Sequence, residues 1–194
     1  MSKLDTLQHV EVSSRAEWRT WLKKNHRQTE PIWLVRYKRG DPRHVPWSDA
    51  VDEALCYGWI DSRPRKLDDQ RSMLLLGPRK PKSAWSGINK EKVARLIAEG
   101  LMTKAGLKMV DLAKATGIWD TLAKTDALEI PPDLAKAFAK SKAAKNNFDA
   151  FPKSVKRAIL EWINQAKKPE TRTKRIAETV SKAAQNIRAN QWRQ

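Results

Sequence analysis

The stretch Trp59-Ile60-Asp61-Ser62-Arg63-Pro64-Arg65-Lys66-Leu67-Asp68-Asp69-Gln70-Arg71-Ser72-Met73-Leu74-Leu75-Leu76 decides the fold. Residues 59–65 and 71–76 read as two strands around a Leu67-Asp68-Asp69-Gln70 turn, and Gly77-Pro78 closes the second one. A hairpin of two strands is marginal alone, so a third strand and covering helices are required. The third is upstream: Ile32-Trp33-Leu34-Val35-Arg36-Tyr37 is a β-rich run between Pro31 and the Gly40-Asp41-Pro42 breaker. The expectation is a small antiparallel sheet with flanking helices in the N-terminal half.

Helices are expected on both sides of these strands. Ser14 and Glu17 form a capping box before Trp18, Trp21 and Leu22, so a helix runs to about Asn25. Ser48 is expected to cap a short helix carrying Val51, Ala54 and Leu55, with Gly58 as its left-handed terminator. From Ser86 onward the period is helical: Val93, Leu96 and Ile97 precede Gly100, and Thr103 caps a helix carrying Leu107 and Val110 up to Gly117. Pro131-Pro132 interrupts the helices. Residues 133–140 and 142–150 read as short Ala- and Lys-rich helices lying over the surface. After Pro152 the stripe Val155, Ile159, Trp162 and Ile163 needs burial, and after Pro169 a last helix carries Ile176, Val180, Ala183 and Ile187. These two stripes are expected to pack on each other. The fold class is α+β, predominantly α-helical, with a helical C-terminal half. The domain reading is 1–125 for the sheet-bearing subdomain and 126–194 for a helical one, sharing one core.

The 194 residues are 40% hydrophobic and 31% charged, enough apolar material to drive folding. The single cysteine, Cys56, forms no internal disulfide. The chain opens without a signal-peptide pattern and no run suits a membrane span, so the expectation is a cytoplasmic protein. Lys and Arg number 39 against 22 Asp and Glu, a formal net charge of +17 spread along the chain. Two readings stand: an anionic partner, whether a small molecule, an acidic surface or non-specifically bound nucleic acid, or a solvated basic surface that keeps the protein monomeric.

His9, His26 and His44 have no partner at metal-ligand spacing, so no metal is expected, and no phosphate-loop, dinucleotide or nucleophile-elbow motif indicates a cofactor or catalytic residue. Cys56, inside an amphipathic helix, reads as a buried hydrophobe before a nucleophile. Four segments in order then carry a resemblance. Residues 53–61 (EALCYGWID), 79–89 (RKPKSAWSGIN), 99–106 (EGLMTKAG) and 166–176 (AKKPETRTKRI) resemble the YdeI/OmpD-associated family, also labelled bacteriocin-protection, over about 33–183. The resemblance implies a link to envelope stress, cationic-peptide resistance or an outer-membrane porin. The chain departs from the family at Phe151-Pro152, where a capping Ser often precedes the proline.

Candidate ligand residues lie in these segments. Ser86 or Asn89 caps a helix entrance beside Trp85, with Arg79, Lys80 and Lys82 upstream, a corner suited to an anion or to an ordinary capped helix. Arg172 and Arg175 sit in first helical turns, where cations oppose the dipole; either they pair with a buried carboxylate, Asp61 being the candidate, or they reach the same anion. Nine tryptophans against two tyrosines and three phenylalanines point to a tryptophan-rich core, leaving Trp47, Trp85, Trp119 and Trp192 as candidate ligand-facing rings. Three functions follow: a protein binding an anionic ligand, a non-specific nucleic-acid binder, and an enzyme with Asp61 as general base near Ser86 and Lys82.

Overall fold

A computed structural model describes residues 3–191, and the chain divides into two compact units, Met1–Asp120 and Thr121–Gln194. In the first, a short 3-10 turn at Lys3–Thr6 leads into β1 (His9–Glu11), α1 (Arg15–Asn25) and β2 (Ile32–Tyr37). Then come α2 (Trp47–Cys56), β3 (Trp59–Lys66), β4 (Arg71–Pro78), α3 (Gly87–Ala98) and α4 (Lys104–Ala115). The three expected strands form, and the sheet order is β1-β2-β4-β3. Its strands β2, β4 and β3 are antiparallel neighbours, while β1 pairs parallel to β2, so the sheet is mixed. A three-residue strand, His9-Val10-Glu11, offers too little alternation to be seen in sequence.

Strand alternation sorts β2 between two faces. Ile32 and Leu34 join Trp18, Leu22, Val51, Leu55, Trp59, Leu74, Leu76, Trp85 and Leu96 in the main core. Trp33 and Val35 face the other way with Met73 and Leu75, and Leu4, Leu7 and Leu67 pack on them. Trp21 links the tryptophans of the main core, stacked on Trp18 at 5.3 Å and edge-on to Trp59 at 5.8 Å.

Of the caps expected in the first unit, Ser14, Ser86 and Thr103 form and Ser48 does not. The Ser14 hydroxyl accepts the Glu17 N–H at 3.1 Å, while the Glu17 carboxylate accepts from the Ser13 N–H at 2.8 Å, one residue earlier than in a reciprocal box. Thr103 caps α4 by accepting from the Gly106 N–H. Ser48, however, is no cap: α2 begins at Trp47, Pro46 holds the N-cap position, and no side chain caps the helix. Proline fixes the φ that starts the helix, which displaces the boundary by a residue. Gly58 does take φ +77 after α2, as the chain turns into β3.

The second unit holds α5 (Ala123–Asp126), α6 (Pro132–Ala139), α7 (Lys142–Ala150), α8 (Lys153–Asn164) and α9 (Pro169–Ala184). Val155, Ile159 and Ile163 of α8 and Ile176 of α9 are buried in one cluster, with Trp162 and Val180 packed against it, as the two stripes demand. Two expectations fail here. Helices α6 and α7 do not lie over the surface, because Leu134, Phe138, Ala144 and Phe148 supply the middle of the cluster. Few large residues do not mean little burial: two phenylalanines, 5.0 Å apart, suffice to anchor short helices. Ile187 lies beyond α9, which ends at Ala184 before Asn186 turns at φ +57. The α8 start, where the family's serine is absent, has Pro152 at the N-cap position and no side-chain cap. Among the described residues no helix is long and apolar enough to cross a membrane.

Candidate functional site

Two helices begin beside Asp61. Trp47, Ser48 and Val51 of α2 face Ser86, Ile88, Asn89 and Lys92 of the α3 entrance, and with Asp61 of β3 they enclose an open basin of about 460 Å³. Asp61 pairs with Leu76 in the sheet and sits at the start of a register shift that runs to Pro64. The shift is a bulge-type irregularity, which re-aims side chains on an edge strand. The two helix starts are chemically unlike. In α3 the Ser86 hydroxyl accepts the Asn89 N–H at 3.3 Å, whereas the first-turn amides of α2 have no capping side chain. Free first-turn N–H groups and the helix dipole both favour negative charge.

The predicted site residues divide. Asp61, Ser86 and Asn89 converge on this basin. Lys80 lines a neighbouring concavity of about 280 Å³ with Ser83, Ser62 and Leu75, and Lys82 is exposed and lines neither. Trp85 is not ligand-facing: it is 2% exposed, packed at 5.0 Å against Trp119. Arg79 is likewise buried, its guanidinium carbon 3.6 Å above the Trp85 ring centre. One Arg79 nitrogen donates to the Ala84 carbonyl, while Nε and Nη1 have no hydrogen-bond partner. Burial pulls the Arg79 pKa down to about 10, with Asp61 pulling it back, so the group stays cationic at neutral pH. Of the other candidate rings, Trp47 lines the basin and is 41% exposed, Trp119 is partly buried between Lys90 and Lys114, and Trp192 lies outside the described residues.

Arg172 and Arg175 belong to the second unit and find their partners there. The expected pairing with Asp61 is not made: Arg172 donates to both Asp133 oxygens, at 2.5 and 3.0 Å, and to Asn164 at 3.1 Å. Arg172 holds the Asp133 carboxyl below its usual range, against a smaller opposing effect of burial. Arg175 donates to the Trp162 carbonyl and sits 5.1 Å over that ring. Both arginines therefore tie the start of α9 to α8 and α6.

The sequence reading passed over a pair of buried acids. Asp52 and Glu53 in α2 are 3% and 2% exposed. Asp52 takes Lys92 and Arg95 of α3 at 2.5 Å each, and Glu53 takes Arg15 and Arg19 of α1 at 2.7 Å each. Burial alone would raise the Asp52 pKa, but the bonds from Lys92 and Arg95 outweigh it and hold it low. The usable signal was spacing: cations three and four residues apart on α3 and α1 present one face each. Through Lys92, this network also fixes one wall of the basin.

Cys56 is fully buried, and burial, with Glu53 adding to it, pushes its thiol up to about 11. The thiolate needed for nucleophilic attack is scarce at neutral pH. A thiol reagent such as Ellman's should therefore leave the folded protein unlabelled at pH 8 and react fully once denaturant is added. Rapid labelling of the native protein would show the site open. Among the described residues no cluster of His, Cys, Asp and Glu is arranged to hold a metal ion.

Comparison with known proteins follows the division into units. Residues 10–109, just over half of the 194, match the family described as a domain of unknown function, DUF8412, and residues 127–186 match the family described as bacteriocin-protection, YdeI or OmpD-associated. No curated protein matches the chain. No solved structure matches it either. The basin residues Trp47, Asp61, Ser86 and Asn89 all fall within the first match, and Asp133, Arg172 and Arg175 within the second. The chain belongs to the DUF8412 family over residues 10–109 and carries, over residues 127–186, a domain of the bacteriocin-protection, YdeI or OmpD-associated family.

Proposed function

We propose that this protein binds a small anionic ligand in the basin between the starts of α2 and α3. The observation that carries the reading is that the uncapped first turn of α2 and the Ser86-capped first turn of α3 open onto one concavity. Helix starts hold carboxylate, sulfate or phosphate by their N–H groups and dipole. The basic protein raises the local concentration of anions, and the basin's volume falls in the range of about 300 to 1,000 Å³ typical of ligand pockets. Asp61 repels a bare anion, so the ligand bears a hydrogen-bond donor on the side away from its anionic group. A part in bacteriocin protection would be the physiological setting of such binding.

The alternatives draw less support. Among the described residues Asp61 and Ser86 make no hydrogen bond to each other, so an Asp61-based enzyme lacks its base–nucleophile contact. Non-specific nucleic-acid binding rests on the net charge of +17 alone.

Ser48→Glu tests the reading. It adds a second carboxylate to the first turn of α2, beside that of Asp49, where the dipole favours each by about 0.3–1 kcal/mol. Calorimetric titration should show inorganic phosphate binding to wild type and at least about tenfold weaker binding to the variant, with its melting temperature unchanged or raised. Equal affinities, or no phosphate binding by wild type, would refute it.

A further inference from the structure

We infer that the basin's ligand is a nucleotide whose planar base lies against Trp47 and Ile88 with its donor edge on Asp61, guanine being the base that fits. The inference rests on the anion reading above and adds the ligand's other half. Large apolar side chains stand exposed at Trp47 (41%), Ile88 (66%) and Ile97 among the described residues, and two of these flank the basin. Single exposed hydrophobics are ordinary on protein surfaces. An indole and a branched aliphatic chain on the two sides of one concavity form instead a slot for a flat, apolar-faced ring.

Trp47 is held for this role from behind. Arg36, 6% exposed on β2, donates to the Val45 carbonyl at 2.6 Å and places its guanidinium 5.6 Å from the Trp47 ring centre. Its Nε has no hydrogen-bond partner, so the ring face is its compensating contact on that side. A cation on the ring fixes the indole's orientation, and aromatic rings stack on flat bases of any identity. Stacking alone therefore selects a base but not which base.

Asp61 supplies the choice. As a carboxylate it only accepts hydrogen bonds, and it makes none within the described chain, though it lines the basin. Guanine presents two adjacent donors, the ring N1–H and the exocyclic amine, and these match the two oxygens of one carboxylate. Adenine presents an amine beside a ring acceptor, which faces the second carboxylate oxygen with a lone pair. The phosphate is then assigned to the helix starts at Ser48 and Ser86 and the base's donor edge to Asp61, which satisfies the donor that the anion reading demands.

Calorimetric titrations of GMP, AMP and inorganic phosphate into the full-length protein test this. Wild type should bind GMP at least about tenfold more tightly than AMP, and Trp47→Ala should weaken GMP by about tenfold while leaving phosphate within about twofold. Asp61→Asn should bring GMP and AMP within about twofold of each other, since an amide offers one acceptor and one donor. Ile88→Ala, at a side chain that packs little in the fold, repeats the stacking test should Trp47→Ala melt early. Phosphate bound as tightly as GMP overturns the nucleotide, GMP and AMP bound equally by wild type overturn the assignment of guanine, and either result leaves the anion reading standing. Binding of none of the three sinks both.

Discussion

Trp85→Ala should destabilise the protein by about 3–5 kcal/mol, the range for emptying a buried aromatic site. The ring is 2% exposed in the main core, so the transfer and cavity contributions both apply in full. Its ring also lies flat beneath the Arg79 guanidinium, 3.6 Å away, whose Nε and Nη1 have no hydrogen bond among the described residues. A buried cation left with only the Ala84 and Ser83 carbonyls and the charge of Asp61 to offset its burial adds to the loss. The two substitutions are therefore coupled. Made in an Arg79→Met background, Trp85→Ala should cost less by about 1–2 kcal/mol, because the stranded charge is already gone. Urea unfolding followed by far-UV circular dichroism reads the four proteins of this cycle. Additive losses would mean that the stack contributes only packing.

The same residue shows where sequence reasoning reached its limit. Trp85 stands beside Arg79, Lys80 and Lys82, and in one dimension that cluster resembles a ligand corner. In the fold the loop turns Trp85 and Arg79 inward as a stacked pair and leaves Lys80 and Lys82 outside. Strand β2, buried at every position, is legible as a β-rich run between breakers, whereas the stripes of α8 and α9 report directly on which face is buried. The hairpin was legible from its turn. Asp61, Ser86 and Asn89, singled out from separate segments of the sequence, line one basin in the fold. Ser48 was given a cap's role, and its place in the basin went unseen because a proline had taken the N-cap position. The buried carboxylate expected for Arg172, Asp61, is not its partner: Arg172 pairs with Asp133, which is 46% exposed and 39 positions away, and no periodicity connects the two. Pairings across that distance are set by how helices pack, which spacing does not encode. The buried acids of α2 share this limit: Asp52 and Glu53 look like a solvated edge until α1 and α3 bring two cations to each.

Gly106→Ala should destabilise by about 3 kcal/mol, although helix propensity alone predicts the opposite sign. Alanine in place of glycine favours a helix by up to about 1 kcal/mol. At this position, however, a Cβ would stand 2.4 Å from the Cys56 carbonyl oxygen and 2.7 Å from that of Leu55, both backbone atoms that cannot turn aside. The closeness has a purpose. The start of α4 abuts the end of α2, where Thr103 donates to the Cys56 carbonyl through its N–H at 3.1 Å and its hydroxyl at 2.6 Å. One helix thereby satisfies the terminal carbonyl of the other, and only glycine permits the approach. Alanine forces α4 outward and strains or breaks both Thr103 bonds. Gly100→Ala is the control: Gly100 sits at φ +66 with nothing within 4 Å of a Cβ, so only the left-handed backbone penalty of about 1–2 kcal/mol applies. Chemical denaturation of the two variants should therefore rank Gly106→Ala as the less stable. A stabilised Gly106→Ala protein would show that the helices do not meet as closely as this.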